Sequence, residues 1–128
     1  MMDAKALQTR ARRRQAALRR AWTDPRYKRV IGRYVSAGLL TTNVEVAAHR
    51  EPIEVSDVLW AGRFAPRVVE LLPALLVKRP GLFVDPTDLP ADLQQAVAAL
   101  RKNEEPDELR GIPGATLLRW LSSVGQRG

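Results

Sequence analysis

Apolar residues recur at three- and four-residue spacing through most of the chain, and the segments that keep this spacing are separated by Pro, Gly and short polar runs. The clearest helical faces are Tyr27, Val30, Ile31, Tyr34 and Gly38, then Leu89, Leu93, Ala96, Val97 and Leu100, and finally Leu117, Trp120, Leu121 and Val124. Between them, Val68, Val69, Leu71, Leu72, Leu75 and Leu76 cover a wide arc of the helical wheel. Only Arg67, Glu70 and Lys78 are left for a polar edge, the pattern of a helix buried on most sides. Pro73 inside that segment must remove one intrahelical hydrogen bond, which predicts a kink or two abutting helical pieces.

The boundaries carry their own signals. Thr23-Asp24-Pro25 reads as a helix restart, a side-chain cap followed by proline where its missing N–H costs nothing, and Gly38 reads as the stop of the helix it opens. Ser56 or Asp57 can cap a short helix that Gly62 ends, Pro80-Gly81 closes the buried segment, and Asp85-Pro86-Thr87-Asp88 opens another with Pro90 in its first turn. From Leu39 to Val55 the period changes. Val44 and Val46 alternate with polar residues, His49-Arg50-Glu51-Pro52 resembles a turn, and Ile53 and Val55 alternate again, which allows a small β-hairpin. The fold expected is mainly α: a single small helical domain of about five to six helices over residues 23–128, with that short hairpin, behind a basic N-terminal helical arm over residues 1–22.

The arm changes the picture. Asp3 to Trp22 holds no Pro or Gly and reads as one helix, reaching about 30 Å at 1.5 Å per residue. Ala4, Leu7, Ala11, Leu18 and Trp22 form a thin apolar stripe opposite Lys5, Arg12, Arg13, Arg19 and Arg20, which predicts docking mainly through Leu18 and Trp22. Residues 1–33 contain eleven Lys and Arg against two Asp, a net +9, whereas the remaining ninety-five carry ten basic and twelve acidic groups, a net −2. The whole net charge of +7 therefore comes from one end, which points to a polyanionic partner or an acidic protein surface. Arg12, Arg13, Arg19, Arg20, Arg26, Arg29 and Arg33 are the candidate nucleic-acid-binding residues, each able to displace a condensed counterion. An anionic membrane surface is disfavoured because the apolar stripe is thin, with alanine at two of its five positions, and offers little insertion energy.

At 128 residues, 45% hydrophobic and 27% charged, the chain can bury roughly two-thirds of its unfolded surface around one core. The absence of cysteine excludes disulfides, thiolate metal sites and a cysteine nucleophile, and with no long apolar run and no signal-peptide pattern the expected setting is cytoplasmic. No phosphate-binding glycine loop, HExxH or EF-hand spacing occurs, so no cofactor, metal or small-molecule substrate is expected. His49 is the only histidine; an enzyme would have to use it with Arg50, Glu51 and Glu54, or with Ser36 or Ser56, and a loop histidine is favoured. Glu104-Glu105 and Asp107-Glu108 fall in a proline-containing connector, where a solvated linker is the simpler reading and an electrostatic clamp on the arm the sharper one. Trp60 and Trp120 read mainly as packing residues, with Trp22 beside the basic helix as the exception. All three are candidates for a protein-partner surface.

The block Leu59-Trp60-Ala61-Gly62-Arg63-Phe64-Ala65-Pro66-Arg67-Val68-Val69-Glu70-Leu71-Leu72-Pro73, with Leu109-Arg110-Gly111-Ile112-Pro113 before the last helix, resembles small bacterial proteins that act as antitoxins in toxin-antitoxin systems. The resemblance covers the body and not the arm, and no functional residue carries over. It implies a non-enzymatic protein that binds and restrains a partner by protein–protein interaction. Many antitoxins are also DNA-binding, which would suit the arm. The function expected is therefore a non-catalytic interaction protein, antitoxin-like or a small regulator, holding a protein partner or another copy of itself through its body and DNA or RNA through the arm. The alternatives are an RNA- or ribosome-associated binding protein and a structural assembly component.

Overall fold

The computed structural model describes residues 4–125, with the backbone alone for residues 4–7 and 125. Six α-helices follow one another: α1 (Ala4–Ala21), α2 (Pro25–Ser36), α3 (Val55–Ala61), α4 (Pro66–Lys78), α5 (Ala91–Arg101) and α6 (Gly114–Gly125), with a 3₁₀ turn at Pro80–Leu82. The mainly helical, single-domain architecture is the one the periodicity predicts.

The body is built around α4. Its Val68, Leu71, Leu72, Ala74, Leu75 and Leu76 are all buried, and α3, α5 and α6 pack against it. Leu93, Ala96, Val97 and Leu100 of α5 and Leu117, Leu121 and Val124 of α6 supply the facing side chains. Pro73 lies buried inside α4, and the helix passes through it as one element rather than as two pieces. Burial of the side chains on both sides of Pro73 offsets the bond that it cannot make.

Helix α2 joins this core from the side. Tyr27, Val30, Ile31 and Tyr34 are buried, and the Tyr34 hydroxyl donates to the Val68 carbonyl of α4 at 2.8 Å. Asp24 caps the helix, its carboxylate accepting from the Arg26 N–H at 2.9 Å, and Pro25 occupies the first turn. At the other end Gly38, at φ +76°, closes a Schellman turn in which Leu39 N–H donates to Tyr34 O and Gly38 N–H to Val35 O.

Three local expectations are corrected. No hairpin forms between residues 44 and 55. Val55 begins α3, and Ile53 instead makes a single parallel bridge to Phe83, its N–H donating to Leu82 O and its carbonyl accepting from Val84 N–H. Ile53 and Phe83 are both buried by this arrangement, and Pro52 has no N–H to give to a ladder. The tight two-residue turn of the molecule lies at 109–112, where Leu109 and Ile112 exchange both backbone hydrogen bonds around Arg110 (φ +51°) and Gly111 (φ +88°). Second, α3 starts after Glu54 without a side-chain cap, and the Asp57 carboxylate is engaged by Arg26. Third, α5 begins at Ala91, and Pro90 sits before it as the cap residue, at ψ +148°, rather than inside the first turn.

Replacing Leu72, fully buried in α4, by alanine is expected to lower unfolding free energy by about 2–5 kcal/mol in urea titration. Burial pushes the Tyr34 phenol far above its ordinary value of about 10. The unfolded chain therefore loses this proton first, and stability must fall as pH rises above about 10. Tyr34→Phe is expected to cost about 1 kcal/mol at neutral pH and to reduce that alkaline loss, read by thermal melts across pH.

Candidate nucleic-acid interface

Helix α1 has no acidic residue in its first turn and ends on Arg19 and Arg20. Arg10, Arg12, Arg13, Arg14, Arg19 and Arg20 are all exposed, and among the described residues none of them pairs with a carboxylate. The Arg19 and Arg20 side chains reach back to the carbonyls of Gln15 and Ala16 at 3.4 and 3.5 Å, contacts that leave the charges facing solvent.

Among its described side chains, the helix meets the body at its C-terminal end. Ala21 is buried, Ala16 and Ala17 are half-buried, and a shallow hollow beside them is lined by Ala17, Arg20, Ala21, Asp24, Trp60 and Phe64. Leu18 is 37% exposed, so the predicted docking through Leu18 is corrected to Ala17 and Ala21. These two lie roughly 60–100° round the helix from Leu18, which turns Leu18 aside from the contact. Ala11, on that stripe, is exposed, while the side chains of Ala4, Lys5 and Leu7 fall outside the described residues. The junction is itself hydrogen-bonded: Trp22, Thr23 and Asp24 donate to Leu18 O, Arg20 O and Ala21 O, and the Thr23 hydroxyl donates to Arg20 O at 2.6 Å.

The arginines of α2 divide into two kinds. Arg29 is exposed beside Lys28. Arg26 is held by Asp57 at 2.5 Å and lies over the Trp60 ring at 4.5 Å. Arg33 donates to Leu82 O at 3.4 Å; burial first, and then repulsion by Arg79, draws its pKa below the ordinary arginine value, with Glu51 acting the other way. Of the seven arginines expected at the surface, five are open to a partner and two are engaged within the chain.

The tryptophans separate likewise. Trp22 and Trp60 both meet Tyr27 edge-on, at 5.1 and 6.4 Å between centroids, and Phe64 completes that cluster. Trp120 belongs to a second cluster, its indole N–H donating to Glu70 at 2.6 Å while Arg67 lies 5.3 Å over its ring. All three are half-buried, and the three do not converge on one surface.

Residues 45–49 run beside α2 without regular secondary structure. Gly32 makes this possible: a Cβ there would lie 2.6 Å from the Ala47 carbonyl oxygen. Between segment and helix is a groove of about 400 Å³ lined by Trp22, Lys28, Arg29 and residues 44–49. Sequence reasoning missed Lys28 and this groove; the one signal was a glycine in the middle of a helix. His49 lines the groove, with its backbone N–H donating to Ser36 Oγ at 3.1 Å, so Ser36 and His49 meet through the main chain and not through the imidazole. The acidic residues Glu104, Glu105, Asp107 and Glu108 are exposed and, among the described residues, form no ion pair with the arm.

Among the described residues no three His, Cys, Asp or Glu side chains come together, and no helix is long and apolar enough to cross a membrane. Comparison with protein-family models, with curated proteins and with solved structures finds no match. The resemblance to antitoxins thus rests on the 59–73 and 109–113 blocks alone.

The division of the arginines is testable by stability. Arg26→Ala is expected to lower unfolding free energy by about 1 kcal/mol through loss of Asp57 and Trp60 as partners. Arg12→Ala and Arg13→Ala should each stay within about 0.5 kcal/mol of wild type in the same denaturation experiment.

Proposed function

We propose that the chain is a non-catalytic nucleic-acid-binding protein that grips the phosphate backbone through α1 and the outer face of α2, with the α3–α6 body as its rigid support. The observation that carries this reading is the set of six exposed α1 arginines with no carboxylate partner among the described residues. Like charges held on one helix repel, and the repulsion is relieved by a polyanion whose condensed counterions return to solution on binding. A projecting helix anchored at one end presents those charges without a competing internal partner, and Lys28 and Arg29 extend the positive surface onto the body. An anionic membrane is a poorer fit, because the exposed apolar residues described on α1, Ala11 and Leu18, offer little area to insert.

The antitoxin-like form of this reading adds a protein partner held by the helical body, and a cytoplasmic setting goes with either form. An acidic protein in place of nucleic acid is the competing polyanion, and salt dependence separates the two by magnitude.

Affinity for a duplex oligonucleotide, measured by fluorescence anisotropy, is expected to fall steeply and linearly on a log–log plot against salt. Converting Arg12, Arg13, Arg19 and Arg20 together to alanine should reduce the slope by about 3–4, at about 0.9 for each phosphate no longer neutralised. Affinity that is unchanged from low to high salt, or a slope the variant does not alter, contradicts the reading.

A further inference from the structure

We infer that the groove between α2 and residues 44–49 is a base-binding pocket for single-stranded nucleic acid, lying where the basic helices meet. This rests on the nucleic-acid reading above and narrows it to a strand form and a site. Three independent features converge there.

The first is an aromatic wall. Trp22 lines the groove, and its ring is set by the edge-on contact with Tyr27 at 5.1 Å and 82°, so it is half-buried and oriented rather than loose. A fixed ring is a platform on which a base can stack. The second is cationic. Lys28 and Arg29 flank the same groove from consecutive positions of α2, and Trp22 follows directly on the arginine-bearing α1, so a strand tracked by the arm reaches the ring without a break in positive charge.

The third is the backbone of residues 45–48. His49 N–H donates to Ser36 Oγ, which ties the far end of the segment to α2, while Val44 N–H makes a local turn with Thr42 Oγ1. Between these two contacts, the main-chain groups of residues 45–48 make no hydrogen bond with the rest of the described chain. The Ala47 carbonyl is turned onto Gly32; the other unpaired donors and acceptors beside the aromatic wall suit the Watson–Crick edge of an unpaired base. Glu45 adds a carboxylate acceptor on that side, opposite the cations, so phosphates are directed to the α2 wall and bases to the strand wall. A volume of about 400 Å³ suits a small ligand. A base still stacked in a duplex cannot enter it. An acidic extended peptide is the competing occupant. It would have only four residues of open main chain to pair with before Pro52, and Glu45 would repel it.

The full chain is titrated against a fluorescein-labelled oligonucleotide of about 12 nucleotides, as a single strand and as a duplex. Trp22→Ala and Ala48→Glu are each expected to weaken single-strand binding about tenfold while moving duplex binding less than about threefold. Ala48 is exposed on the groove, so Ala48→Glu obstructs it without disturbing the core and decides the matter if Trp22→Ala does not fold. Equal weakening of both forms, or no change in either, overturns the pocket and leaves phosphate binding by α1 standing. A Glu-rich peptide that binds wild type and not Ala48→Glu, while single-strand affinity is the same in both, overturns it in favour of a peptide channel. A wild-type chain that binds neither nucleic acid at low salt overturns the proposed function itself, and the pocket with it.

Discussion

Helix α2 has to satisfy two environments at once, and the rest of the molecule is arranged around that constraint. Its inner face, Tyr27, Val30, Ile31 and Tyr34, is fully committed to the core and bonded to α4 through the Tyr34 hydroxyl. Its outer face carries Lys28 and Arg29, and its N-terminal cap, Asp24, fixes where α1 ends and which way it leaves. Because the inner face is held on the buried α4, the outer face is rigid. Positive charge on a rigid ridge can be matched to a spaced row of phosphates at less entropic cost than the same charge on a loose tail.

The contrast between α1 and α2 follows from side-chain size. Ala16, Ala17 and Ala21 remove little apolar area from water, on the order of one or two methylenes each, so they can steer the last turn of α1 but cannot hold eighteen residues against the body. The arginines farther out then have no wall beside them. In α2 three arginines coexist with two tyrosines, a valine and an isoleucine on the inner face, and there two of the three are drawn into internal contacts, Arg26 with Asp57 and Trp60 and Arg33 with Leu82. Arginine number alone thus misjudges how much positive charge stays open to solvent, because burial next door converts some guanidinium groups into structural parts.

How much of this was legible in the sequence depended on the range of the interactions involved. Helices α2, α4, α5 and α6 announce themselves because three or four large apolar residues on one face leave no doubt about the period. Alternation over 44–55 predicts a hairpin because it reports an extended chain without saying what that chain pairs with. Ile53 finds Phe83, thirty positions away, and residues 45–48 pair with nothing in the described chain. The helical wheel weighs side-chain size and so points to Leu18 as the anchor, while the actual contact is set by how the Thr23-Asp24-Pro25 turn rotates α1. The groove depended on Gly32, whose missing Cβ admits the Ala47 carbonyl, a contact between segments that no local pattern encodes.

The central claim is that binding falls on α1, the outer face of α2 and the groove beside it, with α5 and α6 acting only as support. Amide hydrogen–deuterium exchange of the full chain, with and without a saturating oligonucleotide, tests it directly. The account predicts slowed exchange across α1, the hinge at 22–24 and residues 44–49, with α5 and α6 unchanged. Protection concentrated on α5 and α6, with α1 exchanging as fast as in the free protein, would contradict it.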